Sequence, residues 1–364
     1  MSQRLTTAIG AISGTSMDGI DVALVRTDGR ELVETGPGRT LPYPPDLRSD
    51  LLALLADPGL AERDPLTALD LRVTEAFTKA IAGFMADEGI VPESVDLIGL
   101  HGQTVYHRPE RRFTRQLGQG KVMALALGIP VVDAFRQADV ASGGHGAPLA
   151  PLYHAALAGR LPRPVMVLNL GGVGNVTYVG DDVIIAFDTG PASALIDDLV
   201  MARFGKPYDE SGLIAAQGRV DQTVLAQLMD NPFFAAPAPK SLDRQDFHER
   251  AKIVHALPDH DAVATLAAFT IEATAAALRH VPDAPSRWLV AGGGRHNLTF
   301  MTGLARRLGV PVDPVEVEGW NGDFVEAECF GYLAVRSKLG LPLSLPTTTG
   351  VPHPLTGGQL WPAA

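Results

Sequence analysis

Three short glycine-rich turns, each directly following an apolar strand, set the narrowest limits on what this chain can fold into. The first lies in "AISGTSMDGIDVAL" (Ala11 to Leu24), the second in "VMVLNLGGVGNVTYVG" (Val165 to Gly180) and the third in "RWLVAGGG" (Arg287 to Gly294). The first two follow one pattern: apolar strand, small-residue turn, apolar-rich strand. A chain whose halves open the same way is expected to build two related lobes, although no short-period repeat of the solenoid kind is present. The Pro-punctuated joint "RLPRP" (Arg160 to Pro164) marks the change between them. The lobes are expected at about residues 1–150 and 151–340, with 341–364 a tail packed on the body.

A polar glycine turn after a strand has three chemical uses: a plain hairpin, a serine nucleophile, or a backbone cradle for a phosphate chain. The pentad around Ser16, Gly-Thr-Ser-Met-Asp, lacks the second glycine of a nucleophile elbow. "GQGKV" (Gly118 to Val122) has neither the spacing of a Walker A loop nor a Ser/Thr after its lysine. The phosphate cradle gains from the repetition, because glycines let successive backbone N–H groups face one concavity and let the chain approach an anion closely. The contacts this implies are Gly14, Thr15, Ser16, Met17, Asp18 and Gly19 in the first turn, Gly171, Gly172 and Asn175 in the second, and Gly292, Gly293 and Gly294 in the third. Asp18 cannot meet a phosphate without repulsion, so its carboxylate would act through Mg²⁺ or the metal's bound water. The competing role for Asp18 is capping of the turn.

Composition removes other classes. The 364 residues are 46% hydrophobic and 20% charged, ordinary for a globular chain long enough for two cores. A formal net charge of -11 argues against nucleic-acid and anionic-membrane partners, which would want a basic stripe. The one cysteine, Cys329, has no intrachain disulfide partner, and no CxxC or His/Cys cluster offers a zinc site. Neither a secretion signal nor an apolar run of membrane-spanning length is visible, so a cytoplasmic location is expected. A homodimer is one permitted assembly.

Helical spacing is visible at Pro45 to Ala56, Pro65 to Glu88, Ala192 to Phe204, Val220 to Met229, Asp261 to His280, from about Asn297, and at Phe324 to Leu339. "VDLIGLHGQT" (Val95 to Thr104) and "GIPVVDAFRQAD" (Gly128 to Asp139) read as apolar strands ending in polar turns, the address at which α/β sheets place their sites. "LPTTTGVPHPLTGG" (Leu345 to Gly358) shows neither period and reads as a tail.

Phosphate turns opening each lobe, with a late strand-GGG-helix loop, resemble the actin/hexokinase/Hsp70 ATPase superfamily. Within it, "SGTSMDGIDVAL", "GLHGQTVYHRP", "GGHGAPLAPLYH", "NLGGVGN", "FDTGPASALID" and "VAGGGRHN", in that order, resemble the anhydro-N-acetylmuramic acid kinase family. The resemblance implies an α/β, two-lobe actin-like fold with duplicated ribonuclease-H-like lobes and nucleotide in the cleft between them. It also implies ATP and Mg²⁺ as co-substrate and metal, and a small sugar as substrate. Such kinases phosphorylate O6 of 1,6-anhydro-N-acetylmuramic acid and open the anhydro bridge with water, in peptidoglycan recycling. The rivals are a simple sugar kinase of the same fold and a non-metabolic actin-like ATPase. The chain has Ala192-Ser193 where Gly-Asn is usual in the family, and His145 where Gln is common.

Asp188 follows the apolar strand "VIIAF" and precedes a helix, which suits either a working carboxylate or a helix cap. The family resemblance implies that it is the general base that activates water at the anomeric carbon. The sugar is expected to meet His101, Gln103, Thr104, Asp133 and Arg136. Arg136 would take the lactyl carboxylate with its two-pronged guanidinium; its other reading is an ion pair with Asp133 or Asp139. Glu326, in the first turn of the last long helix, is a second candidate toward Mg²⁺.

Overall fold

The computed structural model describes residues 5–363 except 15, 16, 18 and 243–245. Expected phosphate contacts Thr15, Ser16 and Asp18 therefore lie outside the described residues. The chain divides into two compact units: Met1–Gly159 with Phe324–Ala364, and Arg160–Asp323.

In the first unit, the strands β1 (Thr6–Ser13), β2 (Ile20–Thr27), β3 (Val33–Leu41), β4 (Leu97–Arg108), β5 (Phe113–Leu117) and β6 (Val131–Asp133) form one sheet. In the second, β7 (Val165–Leu170), β8 (Val173–Val179), β9 (Ile184–Pro191), β10 (Arg287–Ala291) and β11 (Val312–Pro314) form another. The orders β3-β2-β1-β4-β6 and β9-β8-β7-β10-β11 correspond strand for strand. In both, the first three strands run antiparallel and the last two join in parallel. The duplication legible in the two opening turns is thus a duplication of whole sheets.

One face of the first sheet packs Ile9, Ala11, Val22, Ile98 and Leu100 against Phe77, Ile81 and Phe84 of helix Thr67–Asp87. The other face receives helix Val325–Lys338, expected in the second lobe but placed here in the first unit. The reason lies in what the helix meets on that sheet. The helix buries Ala327, Cys329, Phe330, Tyr332 and Leu333 together, more apolar surface than a one-sided helix needs. It also lies directly on glycines. A Cβ at Gly10 in β1 would sit 1.8 Å from the Ala327 carbonyl oxygen, and one at Gly99 in β4 would sit 2.0 Å from that of Phe330.

The tail is more ordered than its irregular sequence suggests. Pro346–Thr349 forms a helical turn, and β12 (Gln359–Trp361) pairs antiparallel with β6 as an edge strand. Its partner supplies the hydrogen-bonding row that an edge leaves open, which a strand-period search of three residues cannot detect.

In the second unit, helix Asp259–Ala276 is buried on most sides against Leu195, Phe234, Phe300 and Leu304. With its continuation to His280 it is long and apolar enough to cross a membrane, but 67% of that stretch is buried in the protein. Its apolar surface is consumed by the core.

Candidate active site

The carbonyls of all three glycine turns are tied back into the body. In the first turn, Gly19 O accepts from Ser13 Oγ (2.8 Å), Gly14 O from Gln103 Nε2 (3.3 Å) and Met17 O from Arg48 Nε (2.9 Å). Tyr43 OH in turn donates to Gln103 Oε1 at 3.2 Å, and Gln103 is fully buried. In the second, Gly171 O accepts from Ser193 N (3.0 Å) and Ser193 Oγ (2.8 Å), while Gly172 O accepts from Ala192 N (3.0 Å). In the third, Gly292 O accepts from Arg295 Nη1 at 3.1 Å, and Arg295 is itself held by Glu316 and Asp323. Across a planar trans peptide, a C=O and the N–H that follows it point opposite ways. A carbonyl drawn inward therefore turns the next amide outward, as at Gly172 and Gly293, both exposed. Such amides are the donors an anion needs.

Gln103, expected against the sugar, is thus committed to the first turn. The Ala192-Ser193 departure falls on the pair that holds the second turn, through backbone N–H groups any residue supplies and one serine hydroxyl. Arg48 had no sequence signal beyond its place in a surface helix. We expect Arg48→Ala to raise KM for ATP roughly tenfold, the loss of one charged hydrogen bond, with little change in kcat. Steady-state kinetics at saturating sugar check this, and an unchanged KM would remove Arg48 from turn positioning.

Asp188 lies inside β9 rather than at a strand end, because the strand continues through Thr189, Gly190 and Pro191. Registers place Ala291, Asn169, Asn175 and Asp188 side by side across β10, β7, β8 and β9. Directly paired residues share a face of a sheet, so a polar row runs from Asp188 through both asparagines toward the third turn. A Cβ at Gly292 would meet Asn169 Oδ1 at 2.4 Å. Asn169 was not singled out from the sequence; its signal is an amide in an otherwise apolar strand. The Asp188 amide donates to Lys240 O (2.9 Å), and Asp188 Oδ2 accepts from Leu242 N (2.8 Å). Burial raises the Asp188 carboxyl to about 7, partly offset by the Leu242 bond.

Beside the second and third turns, the second unit holds a cavity of about 460 Å³. Ser193, Gly293 and Gly294 form part of its lining, together with Ile196, Tyr208 and Phe300. Size and lining suit a nucleoside.

In the first unit, His101, Gln103 and Thr104 lie within β4, which runs on to Arg108 because β5 pairs with its extension. Arg136 Nε donates to His101 Nε2 (2.9 Å) and Arg136 Nη1 to Gly146 O (2.6 Å). His101 Nδ1 lies 2.9 Å from Gly102 O, which fixes that nitrogen as the protonated one, and burial with the Arg136 charge holds the ring neutral. Neither expected carboxylate pairs with Arg136. Asp139 accepts from Gly146 N and Thr349 Oγ1, both at 2.6 Å, so the tail braces the loop that holds the guanidinium. Asp133 accepts from Gly120 N at 2.8 Å, at the start of helix Gly120–Leu127. Thr104 Oγ1 accepts from Gln116 Nε2 at 3.2 Å. Glu326 is exposed, and its charge favours protonation of both Arg136 and the Cys329 thiol. His145 contributes its backbone, donating to Thr349 O and accepting from His107 Nε2.

Two sheets of one order, each with a glycine-containing turn after its first strand, define the duplicated fold shared by actin and hexokinase. A family model described as anhydro-N-acetylmuramic acid kinase matches residues 6–363. The anhydro-N-acetylmuramic acid kinase of Rhodospirillum rubrum is 50% identical over 359 residues, 98% of this chain and 94% of that protein. That of Acidiphilium cryptum is 51% identical over 357 residues, 97% of each. Component A of (R)-2-hydroxyglutaryl-CoA dehydratase from Acidaminococcus fermentans, a solved structure, is 12% identical with a TM-score of 0.49, covering 92% of this chain and 99% of that one. The chain belongs to the anhydro-N-acetylmuramic acid kinase family.

Proposed function

We propose that this enzyme, a sugar kinase using ATP, transfers the γ-phosphoryl group to O6 of 1,6-anhydro-N-acetylmuramic acid while water opens the anhydro bridge. The observation that carries the ring-opening half is Asp188: a carboxylate raised to about 7 and fixed at one oxygen is a base poised for water at neutral pH. Ordinary inverting glycosidases need two carboxyl groups, the second to protonate the leaving oxygen. Here the leaving oxygen is O6, and bonding to phosphorus replaces that proton. Water attacks C1 and gives one proton to Asp188. The C1–O6 bond breaks, O6 attacks the γ-phosphorus, and ADP departs with the electrons of the cleaved P–O bond. The products are N-acetylmuramic acid 6-phosphate and ADP.

The turns bind the triphosphate through outward amides, as phosphoryl transfer requires. The cavity beside Tyr208 and Phe300 takes the nucleoside. Arg136, oriented by His101 Nε2, takes the sugar through its lactyl carboxylate. No group of three His, Cys, Asp or Glu side chains that would cage a metal exists among the described residues. Mg²⁺ is held mainly by phosphates and water; Glu326, and Asp18 outside the described residues, are the carboxylates that would hold it. Bound there, the metal would neutralise phosphate charge. The reaction belongs in the cytoplasm, where ATP is supplied.

Turnover in ¹⁸O-labelled water should place label at C1 of the product and none in phosphate, read by mass spectrometry. Label in phosphate would mean ATP hydrolysis, and a phosphorylated product with its anhydro ring intact would mean a simple kinase. Separately, Arg136→Ala should raise KM for the sugar by about 10- to 100-fold, the worth of a charged hydrogen bond, and leave KM for ATP near its original value. Equal changes in both constants would place Arg136 outside the sugar site.

A further inference from the structure

The segment that touches Asp188 has its own fastener. Its backbone forms both bonds to that residue, Lys240 O taking the Asp188 amide and Leu242 N donating to Oδ2. The Lys240 side chain packs within the unit among Phe187, Phe233 and His280. Its Nζ donates to Phe233 O at 2.8 Å, lies 3.2 Å from His280 Nε2, and sits 4.6 Å from the centre of the Phe233 ring and 5.7 Å from that of Phe187. Lys240 is 9% exposed, and no carboxylate among the described residues pairs with it. A lysine this buried without a counter-ion is uncommon. A surface lysine would serve solubility equally well, so the burial calls for another role.

We propose that Lys240 is a positioning residue for the reaction: its ammonium, anchored on the Phe233 and Phe234 carbonyls and two aromatic rings, locks residues 240–242 so that the Leu242 N–H holds one Asp188 oxygen and leaves the other for water. This rests on Asp188 being the base. Cation–π attraction and a carbonyl acceptor compensate the buried charge without an anion that would compete for the segment. Burial lowers the ammonium to about 8, still largely charged at neutral pH. The titratable and charged groups around the anchor are His280, itself lowered by burial, and Arg279, which adds to that lowering. Lys240 acts on Asp188 only through the backbone, since burial and the Leu242 bond are what set the carboxyl's proton affinity.

The test compares Lys240→Met, which keeps length and apolar packing, with Lys240→Arg, which keeps a donor, and with Asp188→Asn. Lys240→Met should lose kcat on the order of 10²-fold, as small misplacements of reacting groups do, with KM for ATP unchanged. The acid limb of its kcat–pH profile should move upward, because the Leu242 bond that lowers the Asp188 carboxyl is loosened. Hydrogen exchange at the Leu242 amide should quicken in the same variant. Lys240→Arg should restore the original acid limb at least in part. If Lys240→Met does not fold by circular dichroism, Lys240→Gln is read for the same three quantities. A folded variant with its acid limb and Leu242 exchange unmoved overturns the proposal while leaving Asp188 as base. An Asp188→Asn enzyme with normal turnover overturns the base assignment itself, whatever Lys240 does.

Discussion

Asp188→Asn is expected to keep nucleotide binding and lose sugar phosphorylation by about 10²–10⁴-fold or more, the usual worth of a general base. Phosphorylation falls together with ring opening because O6 becomes a strong nucleophile only as its bond to C1 breaks. The turns proposed to hold ATP keep their own clamps, from Ser13, Arg48 and Gln103, from Ala192 and Ser193, and from Arg295, so binding of a nucleotide analogue should be unchanged. In the unsubstituted enzyme, kcat should decline as pH drops below about 7, where the buried carboxyl takes up its proton. The direction follows from the role: only the ionised form accepts a proton from water. Rapid-quench measurement of both phosphorylated and ring-opened product decides the matter. Ring opening that survives in the asparagine variant would assign the base elsewhere.

Gly10→Val should destabilise the first unit by about 3 kcal/mol or more, at the upper end of overpacking effects. The new Cβ would fall 1.8 Å from the Ala327 carbonyl oxygen and 2.5 Å from the Gly331 nitrogen, both backbone atoms of helix Val325–Lys338. Side chains can rotate away from an intruder, but a helix backbone moves only as a body. Relief would lift the helix off β1 and β4 and uncover Phe330, Leu333 and Ala334, all buried. Urea titration followed by circular dichroism should show a lowered midpoint, and a midpoint equal to that of the original chain would show that the helix is not seated as described.

Elements with strong local chemistry were readable from residues alone. The two opening hairpins, the helix near Pro45 and the turn at Gly292 announce themselves by apolar runs broken by Gly and Pro. Features that depend on a distant partner were not. β4 looked finished at Thr104, since its extension exists only because Phe113–Leu117 returns to pair with it. The three residues of β12 carry no period long enough to measure, and their strand character comes from β6. Helix Val325–Lys338 was legible as a helix, but nothing local says which sheet it covers; glycines at 10 and 99 decide that, more than two hundred positions earlier in the sequence. In the site, Asp188 and the turn glycines were legible as types of chemistry. Arg48 and Lys240 were not, because each acts by holding backbone, and any surface cation looks the same in one dimension.

The split composition of the first unit has a consequence for synthesis. Ribosomes deliver the chain from the N-terminus, and domains tend to fold as units during that delivery. Residues 160–323 emerge as one uninterrupted stretch, so the second unit has all its parts before the helix that seats on Gly10 and Gly99 has been translated. The first unit, begun earliest, is completed last. Until residues 325–338 arrive, one face of β1 and β4 has no cover, and the growing polypeptide carries an open apolar surface through nearly half of its translation.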